Sequence, residues 1–528
     1  IATGTTPREL PDAPCDGERI LNWKQVYNLT EVPERLIVVG SGVTGAEFAS
    51  AYDGLGCDVV LISSRAQVLP GEDQDAAAVL QKAFADRGMT IMSECRAVAA
   101  RREGDGVVVT LAAAGFAAWL ADQGLAGGKV IVGHDARHKS DAFAEDTAQI
   151  MAGAGFDVLW TDRPIPTPVI AFGIQQLGCV AGVVVTASHN PPADNGYKVY
   201  LGDGSQIVPP TDAEIAAHIA RLTEGCWTTL SRSEARTDVT AALLDAYVAR
   251  AASLYPAEAP RDLTWVHTAM HGVGAATVRR VAEAAGLPAP HEVAEQAAPN
   301  PDFPTVAFPN PEEKGAIDLA LALAEEQGAD VVVANDPDAD RCAVAAVVDG
   351  AWRMLTGDEL GAILGDDAIR RGVSGTFANS IVSSTLLGRM ASAAGRDHQT
   401  TLTGFKWIGR VPDLAFGYEE AIGYCCDSRA VPDKDGITAA VNVLRIVAEL
   451  RAEGRTLADR LDDIARAHGL TATSQLSVRV ADLSLIADAM ARLRANPPAE
   501  LLGEAVTVVD LAVVGGHLPP TDGVELTG

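Results

Sequence analysis

Short runs of β-branched residues, each ending in a polar or glycine-rich loop and followed by a helix-forming stretch, constrain this chain more than any other feature. From Lys129 the order is KVIVG, a helix over residues 140–154, DVLWTD, a short helix after Pro168, and GVVVTAS. Such alternation predicts an α/β architecture with a mostly parallel sheet, whose ligand sites lie at the carboxyl ends of the strands. A chain of 528 residues is too long for one core, and its length predicts about three to five domains. Only 5% of the residues are aromatic although 48% are hydrophobic, which suits short buried strands rich in Ala, Gly and Val.

Charge excludes some partners. A formal net charge of -29 repels phosphate backbones and anionic lipid surfaces, so neither nucleic acid nor membrane is an expected partner. An anionic small molecule must then meet a local positive site. The eight cysteines, with one adjacent pair at Cys425 and Cys426, show no metal-ligand spacing and read as reduced thiols of a cytoplasmic protein. No run reaches the roughly 18 apolar residues of a membrane span, and the start lacks the regions of a signal peptide. The chain opens on Ile1 and in mid-motif, which predicts that an amino-terminal region is missing. Oligomeric state is not legible.

Residues 35–45 read RLIVVGSGVTG, an apolar strand running into Gly40, Gly42 and Gly45, with a helix from Ala46 through Tyr52. This is a dinucleotide fingerprint in its required context: the first glycine makes the tight turn, the second admits a pyrophosphate, and the third allows close helix packing. After a second strand at Asp58–Ile62 come Ser63, Ser64 and Arg65 in place of the acid that reads a ribose hydroxyl. That change favours the 2′-phosphate of NADPH. A glycine-rich turn that binds no nucleotide is the alternative. With IATGTTPR at 1–8 and VLPGED at 68–73, residues 1–111 resemble the nucleotide domain of flavin-dependent disulfide reductases, here a partial Rossmann-like unit. The family's FAD site, CxxxxC redox pair and dimer domain are absent, so nothing could receive a hydride. Near residues 110–116 a strand-like VVVTL runs into the alanine-rich helix AAAGFAAWLADQGL without a linker, as at a joint between two fragments.

The remaining chemistry lies in two loops. TASHNPPADNGYK, residues 186–198, leaves a buried strand and exposes Ser188 beside His189 and Lys198, which can neutralise a phosphoryl group on the serine. Read alone, SHNP is equally a cap or turn. ADVVVANDPDADR, residues 329–341, ends an apolar strand in Asp336, Asp338 and Asp340, followed by Arg341. Three alternating carboxylates on a tight loop repel one another unless they share a hard cation, and magnesium fits best. Arg341 and Val347 stand where a calcium loop of the EF-hand kind needs glycine and glutamate. A solvated acidic turn is the alternative.

Together with TGFKWIG at 403–409 and GYEEAIGY at 417–424, these strings resemble, in order, the motifs of the α-D-phosphohexomutases over residues 116–528. The resemblance implies α/β domains around a central cleft, divided here at 116–240 (phosphoserine loop), 241–350 (metal loop), 351–465 (sugar-reading loop) and 466–528. It makes Ser188 the phosphoserine, flanked by His189 and Lys198. Asp336, Asp338 and Asp340 become the Mg²⁺ ligands, with Ser188 supplying a phosphate oxygen. Arg341 and Lys406 would steady the moving phosphoryl group or shuttle a proton, and Glu420, with Glu419, would read sugar hydroxyls. Without the resemblance, Lys406 reads as a surface charge and Glu419 and Glu420 as an exposed acidic helix start. Asp135 and Arg137 of GHDARHKS read as structural partners at a strand end, and PIPTPV at 164–169 as packing.

The implied enzyme is a phosphomannomutase or phosphoglucomutase, exchanging hexose 1-phosphate and hexose 6-phosphate through a hexose 1,6-bisphosphate that also serves as activator. Ile422 and Tyr424 stand where many bacterial members carry serine and histidine, which keeps a phosphopentomutase open. The family's GTxGxRG loop and its terminal phosphate-gripping loop have no counterpart between Phe116 and the final LPPTDGVELTG, which predicts slow turnover, as in a catalytically incomplete hybrid. An NADPH-dependent flavin disulfide or quinone reductase is the alternative from another class.

Overall fold

The computed structural model describes residues 15, 20–93, 108–223, 230–474, 476, 480, 484–513 and 518–527; the string at 1–8 lies outside them. The chain divides into two compact units. One holds residues 1–128, 145–158 and 209–236, the other residues 129–144, 159–208 and 237–528.

In the first unit, strands Arg35–Val39, Asp58–Ile62 and Thr90–Met92 form a parallel sheet in that order. Helices Val43–Gly54 and Gln74–Asp86 cover one face, burying Ala46, Ala49, Val59, Leu61 and Phe84 together. The first helix begins three residues before the expected Ala46, because Gly42 already serves as its N-cap. Gly40 has a φ of +114°, and a Cβ on Gly45 would lie 1.8 Å from the Gly40 carbonyl oxygen, so this turn admits only glycine at both positions.

The strand-like VVVTL is not a strand. Residues Val108–Asp122 form one helix, packed along helix Thr211–Thr223, where a Cβ on Gly115 would meet Ile219 at 2.3 Å. A run of valines favours strands only weakly. Here the alanine-rich sequence that follows and the close helix partner override that preference.

The second unit repeats the α/β theme. Strand Ala181–Val185 pairs in parallel with Lys129–His134 and antiparallel with Tyr197–Leu201. A five-stranded sheet runs His291–Glu292, Trp265–Thr268, Val331–Ala334, Ala343–Val348, Ala351–Met354. A four-stranded sheet runs His398–Thr401, Thr376–Ser380, Leu414–Glu419, Gly423–Cys425. Both are parallel at their centres and antiparallel at one edge. Helix Gly436–Ala452, capped by Asp435, is buried along almost its whole length, as its unbroken apolar sequence requires. An antiparallel bridge from Arg341 to Gly423, with Cys342 N donating to the Ile422 carbonyl at 3.1 Å, ties the loop after Val331–Ala334 to the third sheet.

Candidate active site

Ser188 lies three residues beyond the end of strand Ala181–Val185, with a left-handed φ of 50°. That conformation costs a non-glycine residue about 1–2 kcal/mol, so the surroundings must enforce it. Thr186 Oγ1 accepts from Ser188 N at 2.9 Å. The Arg137 guanidinium donates to the carbonyls of Ser188 (2.7 Å), Asn190 (2.6 Å), Pro191 (2.7 Å) and Asp194 (3.3 Å). Arg137 is itself paired with Asp135 at 3.3 Å, both side chains being 1% exposed. The pair is structural, as expected, but what it structures is the serine loop.

The acidic loop forms the opposite wall. Asp336, Asp338 and Asp340 are fully buried, each offering an oxygen within 4.8 Å of the others. Ser188 Oγ donates to Asp336 Oδ2 at 2.6 Å, which joins the two loops that sequence alone left separate. PIPTPV is more than packing, because Thr167 N and Oγ1 donate to the Asp338 carbonyl at 3.0 Å and to Asp338 Oδ2 at 2.6 Å. The signal that could have found it is a threonine opening a helix whose first eight residues are all buried. Behind the loop, Asn335 Nδ2 donates to the Arg341 carbonyl at 2.7 Å, and His267 Nε2 meets Asn335 Oδ1 at 3.0 Å.

Lys198 does not face the serine oxygen. Its Nζ donates to Asp338 Oδ2 at 2.7 Å and Asp340 Oδ2 at 2.6 Å. Burial alone would lower the ammonium, but the two carboxylates hold it well above its ordinary value. Burial likewise would raise Asp338, yet Lys198 brings it down, while burial and its two acidic neighbours push Asp336 well up. His189 Nδ1 lies 3.2 Å from Ser188 Oγ. Burial, with Arg341, depresses its imidazole to about 4, so near neutrality it is uncharged.

The acids fit a hard cation. Asp338 Oδ1 and Asp340 Oδ1 are buried with no hydrogen-bond partner, a costly state that a divalent ion would relieve. Arg341 borders them, its N donating to Asp336 Oδ1 at 3.0 Å and its Nη1 to the Ala421 carbonyl at 2.9 Å.

Glu419 and Glu420 do not begin a helix. Glu419 ends strand Leu414–Glu419 and is buried, because the apolar alternation LAFGY carries the strand up to the pair. Burial raises its carboxyl, against the pull of Lys434 and Arg341. Glu420 Oε2 accepts from Ser380 Oγ at 2.9 Å and Ser383 Oγ at 2.8 Å, and its N donates to Ser383 Oγ at 3.0 Å. Asp358 anchors the same loop by accepting from Ser384 N at 2.7 Å and Tyr418 OH at 2.9 Å. Sequence reasoning missed these serines, although SIVSST follows a strand whose last residue is Ser380. Lys406 sits half-buried in the short helix Phe405–Ile408. It also missed Lys434, whose Nζ lies 3.5 Å from Asp340 Oδ2 and 3.8 Å from Glu419 Oε1; PDKDG before an apolar helix had suggested only a cap.

In the first unit, Ser63 is buried, its Oγ bonded to Ser41 Oγ at 2.6 Å, and Ser64 and Arg65 stand exposed at the end of the second strand. No helix among the described residues is long and apolar enough to cross a membrane.

Comparison with known proteins agrees with this geometry. Residues 92–225, 245–348 and 356–467 match domains I, II and III of the family described as phosphoglucomutase/phosphomannomutase, alpha/beta/alpha. Residues 1–121 match the family described as pyridine nucleotide-disulphide oxidoreductase. A protein of Haemophilus influenzae named "Probable phosphomannomutase" is 47% identical over 406 residues, 76% of this chain and 83% of the relative. One of Schizosaccharomyces pombe named "Probable phosphoribomutase" is 36% identical over 448 residues, 79% of this chain and 76% of the relative. A solved phosphoglucomutase/phosphomannomutase family protein of Burkholderia thailandensis, 20% identical, shares the fold with a TM-score of 0.63 over 76% of this chain and 82% of that one. A serine loop facing three convergent acids, in a chain that matches three successive domains, places this protein in the phosphoglucomutase/phosphomannomutase family, with a pyridine nucleotide-disulphide oxidoreductase-like segment at its amino end.

Proposed function

We propose that this chain is a cytoplasmic phosphohexomutase that moves a phosphoryl group between carbons 1 and 6 of a hexose through a phosphorylated Ser188. The observation that carries the reading is the 2.6 Å contact between Ser188 Oγ and Asp336 Oδ2. It puts the one nucleophile candidate against the one acidic triad found among the described residues. On this reading the segments 116–240, 241–350 and 351–465 supply the phosphoserine, metal and sugar-reading loops.

Phosphoryl transfer depends on in-line positioning and on neutralising the oxygens of the group in motion. A magnesium ion held by Asp336, Asp338, Asp340 and a phosphate oxygen on Ser188 would supply part of that neutralisation. The chain supplies the rest. Arg341 and Lys406 face the group with positive charge, Lys198 keeps Asp338 and Asp340 ionised, and the neutral His189 holds a hydrogen bond at Ser188 Oγ. In each half of the cycle the Oγ–P bond breaks as a sugar O–P bond forms. The hydroxyl proton of the sugar is balanced by one gained at the serine oxygen. Glu419 and Glu420 accept from sugar hydroxyls, and hexose 1,6-bisphosphate primes the serine.

Intact mass before and after incubation with glucose 1,6-bisphosphate tests the reading. One added phosphate, lost in Ser188→Ala, is the expected result, and unchanged mass in the unsubstituted protein refutes it. A pentose phosphate is the second substrate reading, favoured by the name of the Schizosaccharomyces pombe relative. Rates on mannose, glucose and ribose 1-phosphates decide between them. For the first unit we propose NADPH as ligand, held by Gly40, Gly42 and Gly45 at the turn and by Ser64 and Arg65 at the 2′-phosphate. A fluorescence titration with NADPH, repeated with Arg65→Ala, checks it.

A further inference from the structure

We propose that Lys434 is a substrate-contacting residue whose ammonium donates to an oxygen of the phosphoryl group as it passes between Ser188 and the sugar. The proposal rests on the phosphoryl-transfer reading above and adds a residue that neither motif nor resemblance assigned.

The backbone around Lys434 is fixed from both sides. Asp433 accepts from Gln206 Nε2 at 2.8 Å and from Lys434 N at 2.8 Å. Asp435 N donates to the Tyr424 carbonyl at 2.9 Å, and the Asp435 carboxylate caps the following helix while accepting from Tyr247 OH at 2.8 Å. The side chain is guided as firmly. Its ammonium lies 5.6 Å from the centre of the Phe405 ring, and a Cβ on Gly423 would fall 2.4 Å from its Cδ. Glycine at 423 therefore leaves the channel through which the lysine reaches the site.

What the ammonium does there differs from what Lys198 does. Lys198 closes to 2.6 and 2.7 Å on its carboxylates and spends its donors on them. Lys434, with a side chain only 10% exposed, stops at 3.5 Å from Asp340 and 3.8 Å from Glu419. No hydrogen bond from its Nζ occurs among the described residues. An ammonium whose only task was to balance those two acids would close on one of them, since unspent donors at a buried charge are costly. Its place lies between an acid of the metal loop and an acid of the sugar-reading loop. A phosphate oxygen in that interval would meet a charged donor, the strongest pairing open to it.

The test uses the full chain, dephosphorylated and saturated with magnesium. Lys434→Met keeps the aliphatic stem and removes the donors. It should bind glucose 1-phosphate about 10- to 100-fold more weakly by calorimetry, and should slow phosphate uptake from glucose 1,6-bisphosphate by a similar factor. Lys434→Arg should recover most of the affinity. A purely charge-balancing lysine would instead leave sugar-phosphate affinity within twofold while tightening magnesium binding, and that outcome overturns the proposal. A second measurement needs no variant: reductive methylation of Lys434 in the unsubstituted protein, read by peptide mass, should slow several-fold with glucose 1-phosphate, and equal rates also overturn it. An unsubstituted protein that takes up no phosphate at all sinks the underlying reading as well, whereas normal uptake with unaltered affinity in Lys434→Met sinks only the role of this lysine.

Discussion

Arg137 gives the sharpest prediction, because it couples stability to function at one side chain. Its guanidinium serves four carbonyls of the 188–194 loop and pairs with a carboxylate as buried as itself. Arg137→Met removes all of this and leaves Asp135 charged and unpaired, at about 3–5 kcal/mol, a large part of the ordinary 5–15 kcal/mol of a domain. Arg137→Lys is more informative. It keeps the charge beside Asp135 but cannot present a planar fork, so at least two carbonyls lose their donor, at about 1–3 kcal/mol each. The loss falls on a loop that holds Ser188 at a φ of 50° against its own preference. The lysine variant should therefore relax the serine before it unfolds the chain. Hydrogen exchange of peptides covering 182–196 should rise at least tenfold while peptides in helix Gly436–Ala452 keep wild-type protection, and Ser188 should gain phosphate from glucose 1,6-bisphosphate at least tenfold more slowly. Wild-type exchange and wild-type phosphorylation in Arg137→Lys would show that the carbonyl clamp does not set the serine geometry.

Three further outcomes follow from other parts of the site. Asp338→Asn or Asp340→Asn should weaken magnesium binding at least tenfold in calorimetry, since one of three convergent carboxylates is lost; unchanged affinity would place the ion elsewhere. Ser380→Ala with Ser383→Ala frees Glu420 Oε2 and should raise KM about tenfold with a smaller change in kcat, whereas equal loss in both would mean that the serines act in the transition state only. Asp435 is fully buried, and burial raises its carboxyl from the ordinary 3.8 to about 6 despite its hydrogen bonds to Thr438, Tyr247 and Ile437. A carboxyl whose folded value lies above the unfolded one contributes stability below the unfolded value and loses it as pH rises through the folded one. Urea melts should thus show a fall of about 3 kcal/mol between about pH 4 and 6 that is missing in Asp435→Asn, where asparagine still caps the helix; identical slopes in the two proteins would refute it.

The sequence by itself determined the α/β class and where its chemistry sits, because a strand buried on both faces must be apolar throughout and must stop where polar residues begin. VVVA before NDPDADR and GVVVTAS before HNP mark such stops without any partner being known. The glycines at 40 and 45 were legible for the same local reason, since no other residue fits that turn. Tertiary structure decided the rest. It turned VVVTL into the start of a helix, because the contact with Thr211–Thr223 outweighs a weak preference for strand. It gave Lys198 to Asp338 and Asp340 rather than to the serine, set Thr167 against Asp338 across 171 positions, and brought Lys434 to Asp340 and Glu419. A local pattern records which residues share a strand or a turn, whereas the partners of a buried charge come from whichever distant segments pack around it, and nothing in residue spacing encodes that choice.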